Sequence, residues 1–339
     1  MASGELMKAL KRSQHTPTLQ DSKGGPVQHD PDLAKEHSQP RRGESLPPQC
    51  LRIRAGLSLL LGALFLSTLR AQAPLTWLPR DLAARPLSLS AAYDSGRGRL
   101  VVVAGNQTWE WDGMSWTRRL TATSPSPFTS QQSMVYDSAR HRVVMVGVAS
   151  SSATWEYDGT DWLVITPPVS PPPRGLSALA YDAQRGRTVL FGGFNGAVSL
   201  ADTWEWDGVT WTEVTPAVSP PPVGPSMAYD AARAEVVLFL GASETWTWDG
   251  TTWTQRQPAT TPPSRTTAGM SYDPVRQRVV MFGCQFLNDT WEWDGTDWTE
   301  VFPTTPPSAG LDLELVWNPQ TQRSVLLGAG FAGLMDFWE

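Results

Sequence analysis

The chain has 339 residues, 17 of them Trp, and a formal net charge of −6. All four lysines (Lys8, Lys11, Lys23, Lys35) lie before residue 74, so residues 74–339 carry 17 Arg against 27 Asp plus Glu, a formal net of −10. An acidic, lysine-free surface gives phosphate backbones little to bind and argues against nucleic acid as a partner.

Residues 1–50 are polar and rich in Pro, Gln and Ser, with no periodic apolar face. Such a composition cannot bury enough surface to offset chain entropy, so disorder is expected there. Leu51-Arg52-Ile53-Arg54, the apolar run Ala55 to Leu69, and Ala71-Gln72-Ala73 then supply the three parts of a secretory signal. The run is short for a bilayer-spanning helix, which needs about 20 apolar residues. Signals begin near the first residue translated, so the expectation is a start at Leu51, with residues 1–50 a spurious extension. The alternative is a cytoplasmic tail followed by an uncleaved anchor, the only expected link to a membrane; Pro74, poor at a cleavage site, favours it. Both readings place residues 74–339 in the periplasm, the cell envelope or outside the cell. Arg41, Arg42, Arg52 and Arg54 precede the run, and only Arg70 closely follows it. Cys50 lies in no lipobox-like context, so no lipid anchor is expected.

From residue 74 onward the chain repeats itself. Trp204-Glu205-Trp206-Asp207-Gly208-Val209-Thr210-Trp211 recurs as Trp109 to Trp116, Trp155 to Trp162, Trp246 to Trp253 and Trp291 to Trp298, and Asp336-Phe337-Trp338-Glu339 begins it once more. Each repeat opens on a short apolar run ending in Tyr-Asp, at Tyr93, Tyr136, Tyr181, Tyr229 and Tyr272, with Trp317-Asn318 as the variant. A turn containing Arg follows, then a Val-rich run such as Val279-Val280-Met281-Phe282-Gly283, which reads as a strand buried on both faces. In the Trp-Glu-Trp strand, alternation puts Trp204 and Trp206 on one face and Thr203 and Glu205 on the other. Asp-Gly then supplies a tight turn, and the last Trp begins a fourth strand. Pro-rich links (Thr166 to Pro173, Thr215 to Pro222, Pro258 to Pro263, Pro303 to Pro307) cannot be ladder strands and read as extended crossings.

Four strands per repeat, six times over, predict an all-β, six-bladed β-propeller of four-stranded antiparallel blades. The Tyr-Asp and Asp-Gly hairpins should share one end of the disc and the variable loops the other. The tryptophans should fill the spaces between blades; the competing use is an exposed carbohydrate platform. The sixth repeat stops before its fourth strand, and Leu75-Thr76-Trp77-Leu78-Pro79 precedes the first repeat. The N-terminal strand near Trp77 is therefore expected to close the last blade, which removes open edges.

The glycine-ended second strand, the aromatic-Asp pair before a turn and the Trp shortly after it resemble the kelch-type (galactose oxidase/kelch-like) propeller, in its Trp-rich bacterial form. The likeness covers residues 74–339. It departs at the double glycine, which only Gly192-Gly193 keeps. An Asp-box repeat fits less well, because its Asp and Gly are separated by one residue and here they adjoin.

Catalytic, cofactor and metal sites are not expected. The copper oxidases of the kelch-like fold use two His, two Tyr and a Tyr–Cys crosslink, whereas residues 74–339 hold one His, His141. Cys50 and Cys284 sit in no CxxC or Cys/His cluster. Glu110, Glu156, Glu205 and Glu292 occupy one repeated position, which suits structure better than an asymmetric catalytic constellation. Asn106-Gln107-Thr108 and Asn288-Asp289-Thr290 match a glycosylation pattern at equivalent positions that the strand repeat itself explains.

In kelch-like propellers partners bind the face made by the loops entering the first strand and those after the second. That face implies Arg85, Arg174 and Arg265 from the first set and Phe194, Asn195, Gln285 and Phe286 from the second as binding residues. Convergent Arg could hold a carboxylate of a peptide or acidic sugar; the alternative is that these residues are solvated or bond nearby backbone. The leading expectation is an exported, non-catalytic propeller binding protein or glycan in the cell envelope. The alternatives are a periplasmic carbohydrate enzyme such as a sialate epimerase, and a structural envelope component with no specific ligand.

Overall fold

The structure is a computed structural model describing residues 89–125, 133–146, 152–284, 286–330 and 335–338, all within the compact unit Thr68–Glu339. These residues form strands and no helix. Blade I is β1 (Leu89–Asp94), β2 (Arg99–Ala104), β3 (Gln107–Trp111) and β4 (Trp116–Arg119). Blade II is β5 (Ser133–Asp137), β6 (Arg142–Val146), β7 (Thr154–Tyr157) and β8 (Trp162–Ile165). Blade III is β9 (Ala178–Asp182), β10 (Arg187–Phe194), β11 (Ser199–Trp206) and β12 (Trp211–Val214). Blade IV is β13 (Ser226–Asp230), β14 (Glu235–Leu240), β15 (Glu244–Trp248) and β16 (Trp253–Arg256). Blade V is β17 (Gly269–Asp273), β18 (Arg278–Cys284), β19 (Leu287–Trp293) and β20 (Trp298–Val301). Blade VI is β21 (Gly310–Asn318), β22 (Arg323–Gly330) and β23 (Met335–Trp338).

Blades I to V are antiparallel four-stranded sheets in chain order, and blade VI pairs three strands among the described residues. The first strands β1, β5, β9, β13, β17 and β21 contact one another in succession, and β21 contacts β1, so the sheets close into a six-bladed β-propeller. Residues 74–80, expected to complete blade VI around Trp77, lie outside the described residues, as do the signal-like segment and everything before it.

The local chemistry is repeated from blade to blade. Second strands are buried along almost their whole length, as in β14, where all six residues are buried; β-branched and aromatic side chains suit a strand covered on both faces. At the Asp-Gly turn of blade III, Gly208 takes a φ of 97°. Asp207 Oδ1 accepts the N–H groups of Val209 and Thr210, both at 2.8 Å. Gly supplies the positive φ and Asp closes the turn on its own backbone.

The face of each third strand that carries Trp looks toward the preceding blade, and the Thr/Glu face looks toward the following one. Trp206 and Trp211 of blade III donate Nε1 to Glu156 (3.1 Å) and Thr154 (2.8 Å) of blade II. Trp162, Trp253 and Trp298 repeat the bond to Thr108, Thr203 and Thr245 at 2.8–2.9 Å. The described repeat tryptophans are thus buried or half-buried between blades, and none of them forms an exposed platform.

Candidate functional site

Three parts of the disc present unusual chemistry: the hairpin end, the loop end and the axis. At the hairpin end, the Tyr-Asp carboxylates organise a relay between blades. In blade II, Asp137 Oδ1 accepts the N–H groups of Ala139 and Arg140, and its Oδ2 accepts Arg140 Nε at 2.7 Å. Arg140 Nη1 donates to Glu156 at 2.6 Å, and Glu156 also accepts Trp206 of the next blade. Asp94–Arg97–Glu110–Tyr157 and Asp182–Arg185–Glu205–Trp248 are the same relay in blades I and III. In blade V it runs Asp273–Arg276–Glu292.

The tyrosines of the Tyr-Asp pairs tie to the turn of the blade before them: Tyr136 Oη accepts Gly96 N–H at 3.2 Å, and Tyr272 Oη accepts Ala232 N–H at 3.1 Å. Burial, then the neighbouring Asp94, pushes the Tyr136 hydroxyl up to about 12. Burial and Asp182 do the same to Tyr229, also to about 12. These phenols stay protonated at neutral pH and supply neither a base nor a nucleophile. His141, the single histidine after residue 74, lies on this end with Nδ1 3.0 Å from Tyr136 Oη.

At the loop end, Arg174 and Arg265 are not displayed to solvent. Their side chains are 2% and 0% exposed. Arg174 makes a fork–fork pair with Asp202, Nη1–Oδ1 2.5 Å and Nη2–Oδ2 2.7 Å, and donates further to the Gly192 and Pro172 carbonyls. Arg265 repeats this with Asp289 (2.9 and 2.7 Å), Gly283 and Pro263. Trp204 and Trp291 each donate Nε1 to the same carboxylates at 2.7 Å. Burial opposes charge on Asp202, but the bonds from Arg174 and Trp204 outweigh it and hold its carboxyl below the usual range; Asp289 is held down in the same way by Arg265 and Trp291. Two arginines read from sequence as carboxylate receptors thus already hold carboxylates of their own blade, as clamps between the Pro-rich link and the third strand.

The clamp in blade III braces the hairpin between its second and third strands. Gly175 and Phe194 exchange two backbone hydrogen bonds, 3.0 and 2.8 Å. Asn195 Oδ1 accepts the N–H groups of Ala197 and Val198 at 3.0 and 2.9 Å, closing the tip. The result is a preformed hairpin that leaves Phe194 41% and Val198 57% exposed, with Leu176 (38%) beside it in the chain path and Phe286 (80%) at the matching loop of blade V. Arg85 and Gln285, the other two residues expected on this face, lie outside the described residues.

The axis holds a cavity of about 350 Å³ lined by all six first strands. Its wall carries Met134, Met227 and Met270, with Tyr93, Tyr136, Tyr181, Tyr229, Tyr272 and Trp317 toward the hairpin end. Glu314 is the one residue of formal charge among the described lining residues. Sequence reasoning missed it, although a signal was present: the position three before the Tyr of each Tyr-Asp pair is Ser90, Ser133, Ala178, Ser226 and Gly269 in the other blades. No group of His, Cys, Asp and Glu suited to a metal ion occurs among the described residues. Cys284 is buried and is a free thiol, its Sγ against the Thr266 carbonyl.

No protein-family model matches the chain, and no curated protein matches it significantly.

Proposed function

We propose that this chain is an exported, non-catalytic kelch-type propeller of the bacterial cell envelope that binds a protein or glycan at the loop end of the disc. One observation carries this reading: exposed, non-repeated apolar groups (Phe194, Val198, Phe286) stand on loops held rigid from beneath, whereas the hairpin end is occupied by its own repeated ion pairs. Rigid aromatic anchors lose little entropy on binding, which is why they dominate interfaces. With Arg174 and Arg265 internally paired, the surface suits an uncharged partner, an apolar protein patch or the apolar face of a sugar ring, better than an acidic one. The kelch assignment is supported by the Gly192-Gly193 bulge between second and third strands, φ 65° and 107°. Export rests on the signal pattern of Leu51 to Ala73.

The test uses the exported protein as bait against envelope extract and a glycan panel, beside two variants. Phe194→Ser/Phe286→Ser strips the loop end; Met114→Ser/Val209→Ser alters exposed turn residues of the hairpin end. Capture lost only with the first pair supports the reading, and loss only with the second relocates the site to the opposite face. No capture by any bait leaves a structural envelope component. N-terminal sequencing of the native protein should read from Pro74; a peptide from residues 1–50 would refute the Leu51 start.

A further inference from the structure

We propose that the outer edge of blade II is a self-association site, where β8 of two copies of the chain pair antiparallel about a two-fold axis. It is distinct from the loop-end surface. β8 is the one fourth strand among the described residues with no polar or charged side chain after its Trp, reading Trp162-Leu163-Val164-Ile165. The others read Trp-Thr-Arg-Arg in β4, Trp-Thr-Glu-Val in β12 and β20, and Trp-Thr-Gln-Arg in β16. Charges on an outer strand keep other chains from adding to it. Blade II lacks them and leaves Leu163 and Val164 exposed.

The main chain of this edge is open to pairing. Asp158 N–H bonds the Asp161 carbonyl at 3.3 Å, which, with the β7–β8 register, makes Glu156–Leu163 and Thr154–Ile165 the hydrogen-bonded pairs. Trp162 and Val164 therefore turn their N–H and C=O groups outward. The Trp162 N–H agrees with this phase, since it is taken by Asp161 Oδ1 at 2.9 Å and not by β7. Among the described residues, no backbone group from outside the blade bonds to Val164. Blade III shows that such an edge accepts a further chain: the equivalent Trp211 N–H donates to the Val169 carbonyl of the Pro-rich link at 3.4 Å.

A second copy fits this edge because a two-fold contact sets a residue against its own counterpart. In a pair centred on Val164, that residue exchanges both main-chain bonds with its counterpart, and Thr166 N–H reaches the Trp162 carbonyl of the other copy. Leu163 then lies directly across from Ile165 of the other copy. Pro168, next in the outward phase, has no N–H and ends the ladder. The position of Val164 is held by Arg118 in blade I, Glu213 in blade III and Glu300 in blade V, where the same symmetry would oppose like charges. Gln255 of blade IV would bring a polar amide where Val164 brings an apolar side chain. So short a ladder makes a reversible dimer that forms with concentration, at the small end of specific interfaces.

Sedimentation equilibrium of the native protein from about 10 µM to about 1 mM tests this. The wild type should pass from monomer toward dimer across that range and form nothing larger, because the contact closes on itself. Val164→Arg and Val164→Glu should each stay monomeric, and a mixture of the two should dimerise, because residue 164 faces itself. Leu163→Thr, the residue of the four other fourth strands, should weaken the dimer several-fold and provides the same reading should a charged variant fold poorly. Phe194→Ser/Phe286→Ser, which strips the loop end, should dimerise like the wild type. A wild type monomeric throughout, a dimer that survives the Val164 substitutions, a mixture that stays monomeric, or a dimer lost with the loop-end pair would each overturn the proposal.

Discussion

Trp293 and Thr247 occupy, at the seam between blades IV and V, the positions at which Trp248 and Glu205 are hydrogen-bonded at 3.1 Å between blades III and IV. Thr247 is too short to serve, and the buried Nε1 of Trp293 has no acceptor among the described residues. An indole N–H without a partner in such a place costs about 1–3 kcal/mol. Blade I shows what a carboxylate does at this position: Glu110 accepts Tyr157, Arg97 and Arg119 together. Arg256, the counterpart of Arg119, already reaches Thr247 Oγ1 at 2.9 Å. Thr247→Glu should therefore stabilise the protein by about 1–2 kcal/mol, raising Tm by about 2–4 °C. A thermal melt in which Tm is unchanged or lower would show that the seam is satisfied in another way.

The Arg174–Asp202 and Arg265–Asp289 clamps predict a specific acid response. Both carboxyls are held below their usual range, against burial, by the arginine and the tryptophan that bond them. Folded carboxylates that bind protons less tightly than unfolded ones contribute fully above the unfolded value of about 3.9 and lose that contribution as pH falls through the depressed folded value. Arg174→Met/Arg265→Met should destabilise the protein at neutral pH by about 3 kcal/mol for each clamp. It should also make the fall of stability below about pH 4 shallower than in the wild type. Denaturant melts across pH check both; an unaltered acid slope would mean that other carboxylates dominate it.

Two glycines of the same hairpin, Gly193 at the end of β10 and Gly196 in its loop, separate conformational strain from steric contact. Gly193 and Gly196 both have positive φ, 107° and 92°. A Cβ at Gly196 meets nothing within 4 Å, whereas at Gly193 it meets the Gly175 carbonyl oxygen at 2.7 Å and Ser177 at 3.2 Å. Gly196→Ala should cost only the backbone term, about 1–2 kcal/mol. Gly193→Ala should cost distinctly more, and should expose the Gly175 and Phe194 amides to hydrogen exchange by breaking the staple between them. Equal costs in a urea melt would show that the link gives way without penalty. At the matching position of blade V, Cys284 adopts φ 138°, a strained backbone that the Arg265 clamp beside it holds in place.

Period and turn chemistry make the blades legible in the sequence alone. Tyr-Asp, Asp-Gly and Trp-x-Trp recur with side chains whose backbone and packing needs are local, so strand order and the burial of Trp206 or Trp248 follow directly. The loop arginines are harder, because position in a loop says nothing of depth. Asp202 and Asp289 each stand two residues before the first Trp of their strand, in the two blades where an Arg lies seven residues before the Tyr of Tyr-Asp. In these two blades the joint occurrence points to an internal pair rather than a ligand site, although blade VI keeps an Asp at that position, Asp336, with Gly310 in place of the Arg. Glu314 escapes notice for the opposite reason: it stands opposite Leu327 in the register that Ser90 has opposite Val103, so only its charge sets it apart from the other repeats.

Ring closure can be tested through the fourth strands. Trp162, Trp211, Trp253 and Trp298 each open one and donate Nε1 to a threonine of the preceding blade, at 2.8–2.9 Å. Leu75 through Pro79 lie outside the described residues, and the sequence spacing leads to the expectation that they supply the fourth strand of blade VI, with Trp77 in the place of these tryptophans. The seam with blade I is already unlike the others. Phe337 stands where the threonine would be, packs edge-on against Trp111 and Trp116 at 5.0 and 5.7 Å, and leaves Trp116 Nε1 without an acceptor among the described residues. A blade pinned weakly on one side depends the more on its outer strand. Trp77→Ala should cost about 3–5 kcal/mol, the range for a large aromatic removed from a core, and deletion of residues 74–80 should lower Tm further by opening the edge of β23. Deletion should also promote association through that edge, visible in light scattering. An unchanged Tm with a monomeric product would mean that the ring closes without the N-terminal strand.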